Sequence, residues 1–437
     1  MKPTSRGLLL VLAAGLLAQA LLFAVPHQVT PLAGDQAQYD TQARLLAAGE
    51  ALHPNFLWPP LYGRWLSGFY RLFGPWLLPV KLVQVGLLLW AGVLFFRLLE
   101  EAGIGRRAAL LASGLLLCDP QVAAFAHYLW PEVLHLFLSL LGVYLIVVPG
   151  PRSSLRSLVA GLCFGLALLA KSLLGPFLPV LAVAAFVTRE KPGGGGLLRP
   201  AALALGVTLV VAPVAVHNRS AYGTYRISSS ALLNLWVGIN DPQDRHDYDS
   251  VSKQQVAEYL LSSPLPARRD RIVRWRILHK VSEEGLGSVL ERQFRKQYRR
   301  LLDKDSFFTD QLPGGRWGPP PSHPLRTALL RVWAYGAYAL LLGLAAVGLA
   351  QIRGRPGWRA AALPLAFLLF NLAAFLLLHV KTRYRVAFLP CVAFFAALAL
   401  DRSLAFWRRA PWREAGGLRL LAGALVTGLT WWLAFGG

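Results

Sequence analysis

Apolar runs about as long as a bilayer is thick recur along this chain of 437 residues, and they constrain its fold more than any other feature. About 20 apolar residues in a helix cross the hydrocarbon core, where a helix satisfies its own backbone hydrogen bonds. Such runs lie near 7–25, 76–96, 108–126, 130–148, 158–170, 173–187, 201–216, 326–350, 360–378, 384–400 and 418–435. The sequence therefore predicts an all-α, polytopic transmembrane protein with about 11 spans.

Composition and charge narrow the class further. Of the residues, 55% are hydrophobic and 15% are charged, against about 25% charged residues in soluble domains. Much of the net charge of +23 comes from arginines in short loops, where they orient spans and meet anionic membrane lipids. No soluble basic domain is visible, so a nucleic-acid partner is not predicted. The three cysteines fall within predicted spans and indicate neither a disulfide framework nor a Cys-x-x-Cys metal site.

The basic loops also set the predicted topology. The positive-inside rule places the N-terminus in the cytoplasm, and it places 26–75, 217–325 and 379–383 on the outer face of the inner (plasma) membrane. The chain then divides into an N-terminal transmembrane module, an outward amphipathic segment and a C-terminal set of transmembrane helices. These three parts are 1–216, which contains the first outward loop, then 217–325 and 326–437.

Two neighbouring runs, 158–170 and 173–187, are short for two spans and long for one. Basic residues flank the pair on both sides, which puts both flanks in the cytoplasm. This pattern favours a hairpin, with Lys171 at its outer tip.

Two stretches of the outward segment have amphipathic helical patterns. The first is 268–281, which mixes arginines with apolar residues, and in the second Leu290, Phe294, Tyr298 and Leu301 recur at helical spacing. Both are predicted to be helices that lie on the membrane surface, with their apolar faces towards the lipid. The pattern leaves open whether these helices only anchor the protein or also serve its function.

An acidic segment follows the first predicted span. If this segment is helical, Asp35, Tyr39 and Gln42 share one face through their spacing. A carboxylate then lies beside polar and aromatic groups at the membrane surface, an arrangement that suits a catalytic base. Asp35 is the candidate base, and the alternative is a helix N-cap that follows Gly34.

Two further acids, Asp40 and Glu132, are weaker candidates. Glu132 opens the fourth predicted span directly after Pro131. Its carboxylate either faces a cavity or serves only the start of that helix.

Several cations map to the outer ends of predicted spans, where the phosphate of a lipid would lie. They are Lys171, Arg219, His379, Lys381, Arg383 and Arg385. A charge at that depth is a functional hypothesis, and the alternative is a long side chain that reaches out to the interface. No His, Asp or Glu cluster has metal-ligand spacing, so no metal or other cofactor is predicted, although outward carboxylates leave a divalent ion possible.

Four stretches, in order along the chain, carry a family resemblance that covers most of its length. They are Asp35, Tyr39, Ala43 and Arg44; Trp130-Pro131-Glu132 followed by Gly165 to Lys171; Pro213 to Gly223 with Ile227-Ser228-Ser229 and Asn234 to Asp241; and Thr382-Arg383-Tyr384-Arg385 through Pro390. The ordered set resembles the bacterial protein O-mannosyltransferase and aminoarabinose transferase group. This group belongs to the GT-C class of polyprenyl-phosphate-dependent glycosyltransferases.

The chain departs from the family pattern at two places. Asp35 is followed by Gln36, whereas family members often have two adjacent acids in the first loop. An arginine precedes the asparagine after the seventh span in the family, whereas this chain has His217-Asn218-Arg219. The first departure leaves one obvious base, and the second leaves the ligand of the phosphate open.

The resemblance implies a GT-C fold and an activity. A sugar would pass from a polyprenyl-phosphate donor to a lipid, glycan or protein acceptor on the outer face of the membrane, with inversion. Asp35 would be the base. The resemblance assigns Tyr39, Asp40, Glu132 and Asn234 to the acceptor or sugar pocket, and Lys171, Arg219, Lys381, Arg383 and Arg385 to the donor phosphate.

Two other classes stay open at this point. A transporter or flippase of a lipid-linked sugar would also have many spans and basic residues in the membrane, although this chain shows no internal repeat. A non-catalytic relative, in which activity was lost with the second acid, is the other alternative.

Overall fold

A computed structural model shows an all-helical protein. It describes residues 3–23, 32, 35–50, 57–188, 197–240, 248–316, 318–320, 323–352 and 358–409. The described residues contain no β-strand. The predicted span near 418–435 lies outside the described residues.

The described residues form 18 α-helices. In chain order they are α1 Pro3–Phe23, α2 Asp35–Ala47, α3 Leu61–Phe73, α4 Leu77–Glu101, α5 Arg106–Cys118, α6 Pro120–Ala123, α7 Glu132–Val147, α8 Ser153–Ala170, α9 Leu178–Val187, α10 Leu198–Tyr222, α11 Ser230–Asn240, α12 Tyr248–Leu261, α13 Pro266–Glu284, α14 Leu286–Leu302, α15 Phe307–Gln311, α16 Pro324–Ala350, α17 Ala362–Leu377 and α18 Leu389–Arg409. Within the described ranges, four 3-10 helices lie between them, at Ala124–Ala126, Ser172–Phe177, Trp358–Ala361 and Thr382–Ala387.

Several of these helices have the length and composition of membrane spans. Among the described residues, five helices are long and apolar enough to cross a membrane, and a sixth is added if α5 is counted with the helices after it, across a bend of 53°. The same part of the chain has three shorter apolar helices, at Glu132–Val147, Ser172–Val187 and Ala362–Leu377. The described residues thus form a membrane-embedded helical protein, while the predicted count of about 11 spans stays a prediction.

The predicted pair at 158–170 and 173–187 has unequal members. Helix α8 begins at Ser153, five residues before the predicted run, and so has the full 18 residues of a span. The second member is interrupted, because Pro176 lies within a 3-10 helix that precedes α9. Lys171 stands between the two in extended conformation.

Glycines let α8 pack closely against α10. A Cβ atom at Gly161 would lie 2.1 Å from the carbonyl oxygen of Leu203, and one at Gly206 would lie 2.2 Å from that of Leu158. Only glycine allows two helix backbones to approach this closely, as in other membrane helix pairs. The contact fixes the position of α8 and therefore of its end at Ala170.

Helices α11 to α14 build a second, smaller apolar core. Trp236 of α11, Tyr259 of α12 and Ile277 of α13 are buried in it together with Val289 of α14. The structure therefore has helices over both stretches with amphipathic patterns, and part of their apolar surface packs on protein.

The face that α14 buries differs from the apolar face in its sequence pattern. Phe294 is 56% exposed, whereas Gln293 and Gln297 are fully buried. The reason lies at the end of α17, where Gln297 Oε1 accepts a hydrogen bond of 3.1 Å from the backbone N–H of Val380. Buried backbone groups need such partners, and here they outweigh the hydrophobic pattern.

Helix α11 contacts the same segment from another side. The carbonyl oxygen of Asn234 accepts a hydrogen bond of 2.8 Å from the backbone N–H of His379. A Cβ atom at Gly238 would lie 2.6 Å from that nitrogen. The chain after α17 is thus held between α11 and α14.

Candidate active site

A cavity opens where the ends of α7, α8, α11 and α17 meet the 3-10 helix Thr382–Ala387. We call it the central cavity. Its polar lining is Tyr39, Trp58, Glu132, His135, Lys171, Ser172, Ser230, Asn234, Asn371, His379, Arg383 and Tyr384. Among its apolar residues are Phe367, Phe370 and Phe375 of α17. Charged, polar and aromatic groups therefore meet in one space.

A chain of ion pairs runs along this cavity. The Arg383 guanidinium donates to the Asp35 carboxylate, and its Nε lies 3.9 Å from Glu132 Oε1. Lys171 Nζ donates to the same Glu132 oxygen over 3.1 Å. We call Asp35, Arg383, Glu132 and Lys171 the ion-pair chain.

Helix ends position all four side chains. Asp35 is the first residue of α2 and Glu132 the first of α7, while Lys171 directly follows the last residue of α8. A carboxylate in the first turn of a helix interacts favourably with the helix dipole. Arg383 lies in a 3-10 helix between α17 and α18. The contact between Asp35 and Arg383 thereby joins residues that are 348 positions apart in the sequence.

The contacts of Asp35 and Glu132 test the alternative that each carboxylate serves only the start of its helix. The Asp35 side chain contacts Arg383, and Gly34 lies outside the described residues. Glu132 has only 3% of its side chain exposed and bonds to Lys171. Neither carboxylate therefore serves only a helix terminus.

Electrostatics keep Asp35 ionised. Burial raises the pKa of this carboxyl, but Arg383, Lys381 and Lys171 together outweigh burial, so that the pKa lies below its usual value of 3.8. Asp35 does not line the central cavity itself, although 18% of its side chain is exposed. It is an ionised carboxylate next to the cavity, joined to it through Arg383.

His379 contrasts with Asp35. Burial, and then the cations Lys381, Arg300 and Lys296, hold the pKa of this imidazole well below its usual value of 6.5. His379 is thus uncharged at neutral pH, and the positive charge at this end of the cavity comes from lysine and arginine.

Aromatic rings surround the cations. The Arg383 guanidinium lies 4.7 Å from the centre of the Trp130 ring, and Lys171 Nζ lies 5.2 Å from that of Tyr384. Tyr384 stacks on Phe375 with 5.8 Å between ring centres. Cation–π contacts of this kind stabilise a buried charge and fix its orientation.

Some predicted residues lie in other surroundings. Asp40 accepts hydrogen bonds from Tyr70 and Arg44. Arg219 donates over 2.8 Å to the carbonyl oxygen of Gly223 on an exposed surface. Neither of these two predicted site residues lines the central cavity.

Arg385 also lies away from the cavity. Its guanidinium donates to the carbonyl oxygen of Asp303 over 2.5 Å and to the side-chain oxygen of Gln121. The centre of the Tyr338 ring is 4.2 Å from it. We call these four residues the Arg385 cluster. The structure therefore unites Asp35, Tyr39, Glu132, Asn234, Lys171, Lys381 and Arg383 at the central cavity or beside it.

Sequence reasoning missed two cavity residues that a signal in the sequence marks. His135 lies three residues after Glu132, on the same helix face. Asn371 is an isolated amide within the apolar run 360–378. A polar residue inside such a run is by itself a functional hypothesis.

Comparison with known proteins adds no relative. No family model, no curated protein and no solved structure matches this chain. In the part of the chain that the structure describes, no three His, Cys, Asp or Glu side chains are grouped so that they could hold a metal ion. The chemistry of the site must therefore be argued from its own side chains, which offer cations for an anion and an ionised carboxylate for a proton.

Proposed function

We propose that this protein is a membrane glycosyltransferase of the GT-C class. It takes a sugar from a polyprenyl-phosphate donor and transfers it to a hydroxyl or amine of a lipid, glycan or protein acceptor, on the outer face of the inner membrane. The observation that carries the proposal is the ion-pair chain. It joins a carboxylate and cations from distant segments beside a cavity in a membrane-embedded protein.

The cations suit the donor phosphate. Transfer breaks the bond between the sugar C1 and a phosphate oxygen, and the leaving phosphate gains negative charge. Arg383 and Lys171, with Lys381 nearby, stabilise that charge because fixed cations in a buried site need no reorganisation. Two polar atoms of the ion-pair chain, Arg383 Nε and Glu132 Oε2, are buried without a hydrogen-bond partner among the described residues. A bound substrate supplies partners for such atoms.

The carboxylate suits the acceptor. As the acceptor oxygen or nitrogen attacks C1 from the face opposite the phosphate, its proton passes to Asp35, and the sugar configuration inverts. Asp35 is ready for this step because it is ionised at neutral pH. Its contact with Arg383 links the two halves of the reaction, since a phosphate that binds Arg383 competes with Asp35 for the guanidinium.

The test is a transfer assay with the purified protein in detergent or nanodiscs. Polyprenyl-phosphate sugars are offered with a panel of lipid, glycan and peptide acceptors, and products are identified by mass spectrometry. We expect Asp35→Asn to lower turnover by about 10²–10⁴-fold, the usual contribution of a general base. Its matched control is Asp40→Asn on the same helix, which removes a carboxylate that is bonded to Tyr70 and Arg44.

The outcomes separate the alternatives. Turnover that is lost in Asp35→Asn and retained in Asp40→Asn supports the proposal. Near-normal turnover in Asp35→Asn excludes Asp35 as the base. Donor binding without turnover across the acceptor panel favours a transporter or a non-catalytic relative.

A further inference from the structure

Two almost fully buried polar side chains face the central cavity from different helices. His135 of α7 has 4% of its surface exposed and Asn371 of α17 has 1%. Both line the cavity. Neither has a role in the proton or phosphate steps proposed above, so their presence in apolar helices calls for another explanation.

Hydrogen bonding fixes which ring nitrogen of His135 carries the proton. Its Nδ1 lies 3.0 Å from the carbonyl oxygen of Ala167. A carbonyl oxygen can only accept, so Nδ1 carries the proton. The neutral ring then has its lone pair on Nε2, which can only accept a hydrogen bond.

The same logic orients Asn371. Its Nδ2 donates over 2.8 Å to the carbonyl oxygen of Phe367, one turn earlier in α17. The amide oxygen Oδ1 therefore points away from that carbonyl. Within the described ranges, the hydrogen bonds that the structure shows for these two side chains use His135 Nδ1 and Asn371 Nδ2.

We propose that His135 Nε2 and Asn371 Oδ1 form a subsite that accepts hydrogen bonds from hydroxyl groups of the transferred sugar. The inference rests on the proposed function and names the group of the donor that the cavity selects. An acceptor that a ligand cuts off from water and leaves without a partner costs about 1–3 kcal/mol. A ligand with O–H donors removes this cost, whereas an apolar ligand does not.

The neighbours of the subsite favour a sugar. Phe367, Phe370 and Phe375 line the same cavity, and aromatic side chains supply apolar surface against which the C–H groups of a sugar ring can pack. Glu132, one helical turn from His135, bonds to Lys171.

The charge of the surroundings separates hydroxyl groups from ammonium groups. Both acceptors are neutral atoms, and the cations Lys171 and Arg383 line the same cavity. Both carboxylates of the ion-pair chain are already paired, Glu132 with Lys171 and Asp35 with Arg383, and are therefore not available to pair with an ammonium group. The subsite therefore fits neutral hydroxyl donors better than an amino sugar in its charged form.

Two substitutions at His135 distinguish recognition from structure. Asn places an amide nitrogen near the position of Nδ1, so His135→Asn can keep the bond to Ala167 but has no acceptor at the Nε2 position. Gln reaches the Nε2 position, so His135→Gln keeps an acceptor there and gives up the Ala167 bond. A purely structural histidine tolerates Asn better, and a recognising histidine tolerates Gln better. Asn371→Leu removes the second acceptor with little change of volume.

The experiment measures kcat/KM for undecaprenyl-phosphate mannose, undecaprenyl-phosphate glucose and their monodeoxy and amino-deoxy analogues. For wild type we expect about a tenfold to hundredfold preference for the full sugar over at least one deoxy analogue. His135→Asn should lose that preference and use the deoxy analogue as well as wild type does. His135→Gln should retain the preference, and Asn371→Leu should lose it at a different hydroxyl position.

Several results would overturn the inference. An unchanged preference in both His135→Asn and Asn371→Leu would do so, as would an equal loss of activity with every donor. A preference that is confined to the amino-deoxy donors would show that the acceptors bind an ammonium group. Wild-type protein that transfers no sugar at all would remove the proposed function and this inference together, whereas transfer with unchanged preferences would remove the inference alone.

Discussion

Arg383 and Arg385 lie in one 3-10 helix, two residues apart, and belong to different regions of the molecule. Arg383 is part of the ion-pair chain at the central cavity. Arg385 lies in the Arg385 cluster, where a backbone carbonyl, an amide and an aromatic ring surround it. Successive residues of a 3-10 helix are about 120° apart, so residues two apart point in different directions.

The comparison separates two uses of a buried cation. The donors of Arg385 are directed at protein groups, and the packing around them depends on that charge. Arg383 borders a space that a ligand can enter, and its main partner, Asp35, is itself a candidate reactant. A charge near a membrane surface thus points to function only where a cavity adjoins it, and the following substitutions test this distinction.

The largest effect is expected for Arg385→Met, on stability. Removing this guanidinium leaves the carbonyl of Asp303, the amide of Gln121 and the nearby Asp119 carboxylate without it. Removing one member of a buried charged group typically costs about 3–5 kcal/mol. Thermal unfolding in detergent measures this loss, and turnover per folded molecule should stay close to wild type. A stable variant without activity would show instead that Arg385 takes part in function.

Arg383→Gln should lower turnover per folded molecule. Without the cation at the phosphate we expect kcat/KM to fall about 10²-fold, which corresponds to about 2.7 kcal/mol. The loss should appear in titrations with the donor, and Arg383→Lys, which keeps the charge, should restore part of it. Arg383→Gln also leaves the Asp35 carboxylate without its partner and so costs stability, and the contrast with Arg385 lies in the loss of turnover per folded molecule. Unchanged donor kinetics would exclude Arg383 from phosphate binding.

Asp310 interacts electrostatically with Asp303 of the Arg385 cluster, and its titration offers a test of stability against pH. Burial, and then the neighbouring Asp305, raise the pKa of Asp310 from 3.8 to about 6. The folded protein therefore binds this proton more tightly than the unfolded chain, so stability falls as pH rises from about 4 to about 6. Asp310→Asn should stabilise the protein at pH 7.5 by about 1–2 kcal/mol and change little at pH 4. Equal melting shifts at both pH values would contradict this assignment.

The smallest effect is expected for Arg219→Gln. This arginine is exposed, and its contacts are the carbonyl of Gly223 and the ring of Tyr225. Surface substitutions of this kind usually change stability by less than about 0.5 kcal/mol. Transfer should also stay within twofold of wild type, roughly the same limit in free energy. A clear loss of donor binding would return Arg219 to the phosphate site.

The sequence marks part of the site well, because charged residues are conspicuous in apolar surroundings. Lys171 follows an uncharged run, and Asp35 opens an acidic segment next to a predicted span. The structure places both in one ion-pair chain. Their roles as base and phosphate ligand stay predictions.

Spacing alone does not separate Arg383 from Arg385 or assign the partners of Asp40. The direction of a side chain in a short 3-10 helix depends on how the flanking helices α17 and α18 enter it. Asp40 bonds to Tyr70, thirty residues away in another helix. These contacts depend on tertiary packing, which hydropathy and helical periodicity do not encode.

The apolar helices likewise have features that hydropathy predicts and features that depend on tertiary packing. Apolar length predicts α4, α10 and α16 as long helices, and the structure has them at Leu77–Glu101, Leu198–Tyr222 and Pro324–Ala350. Where polar and apolar signals compete, as in α14, the backbone of the neighbouring segment decides which face is buried. Gln293 and Gln297 are buried there because Leu377 and Val380 offer backbone hydrogen-bonding groups.

Helices α11 and α14 hold the chain after α17, and these contacts limit how the protein can be shortened without losing its site. The hydrogen bonds from His379 to Asn234 and from Val380 to Gln297 hold the segment that leads directly to Lys381 and Arg383. The helices between α10 and α16 are thus a supporting frame for those cations and not a detachable module. A version that keeps only the apolar helices would lose the geometry of the cavity, so biochemical dissection of this protein has to proceed by single side chains.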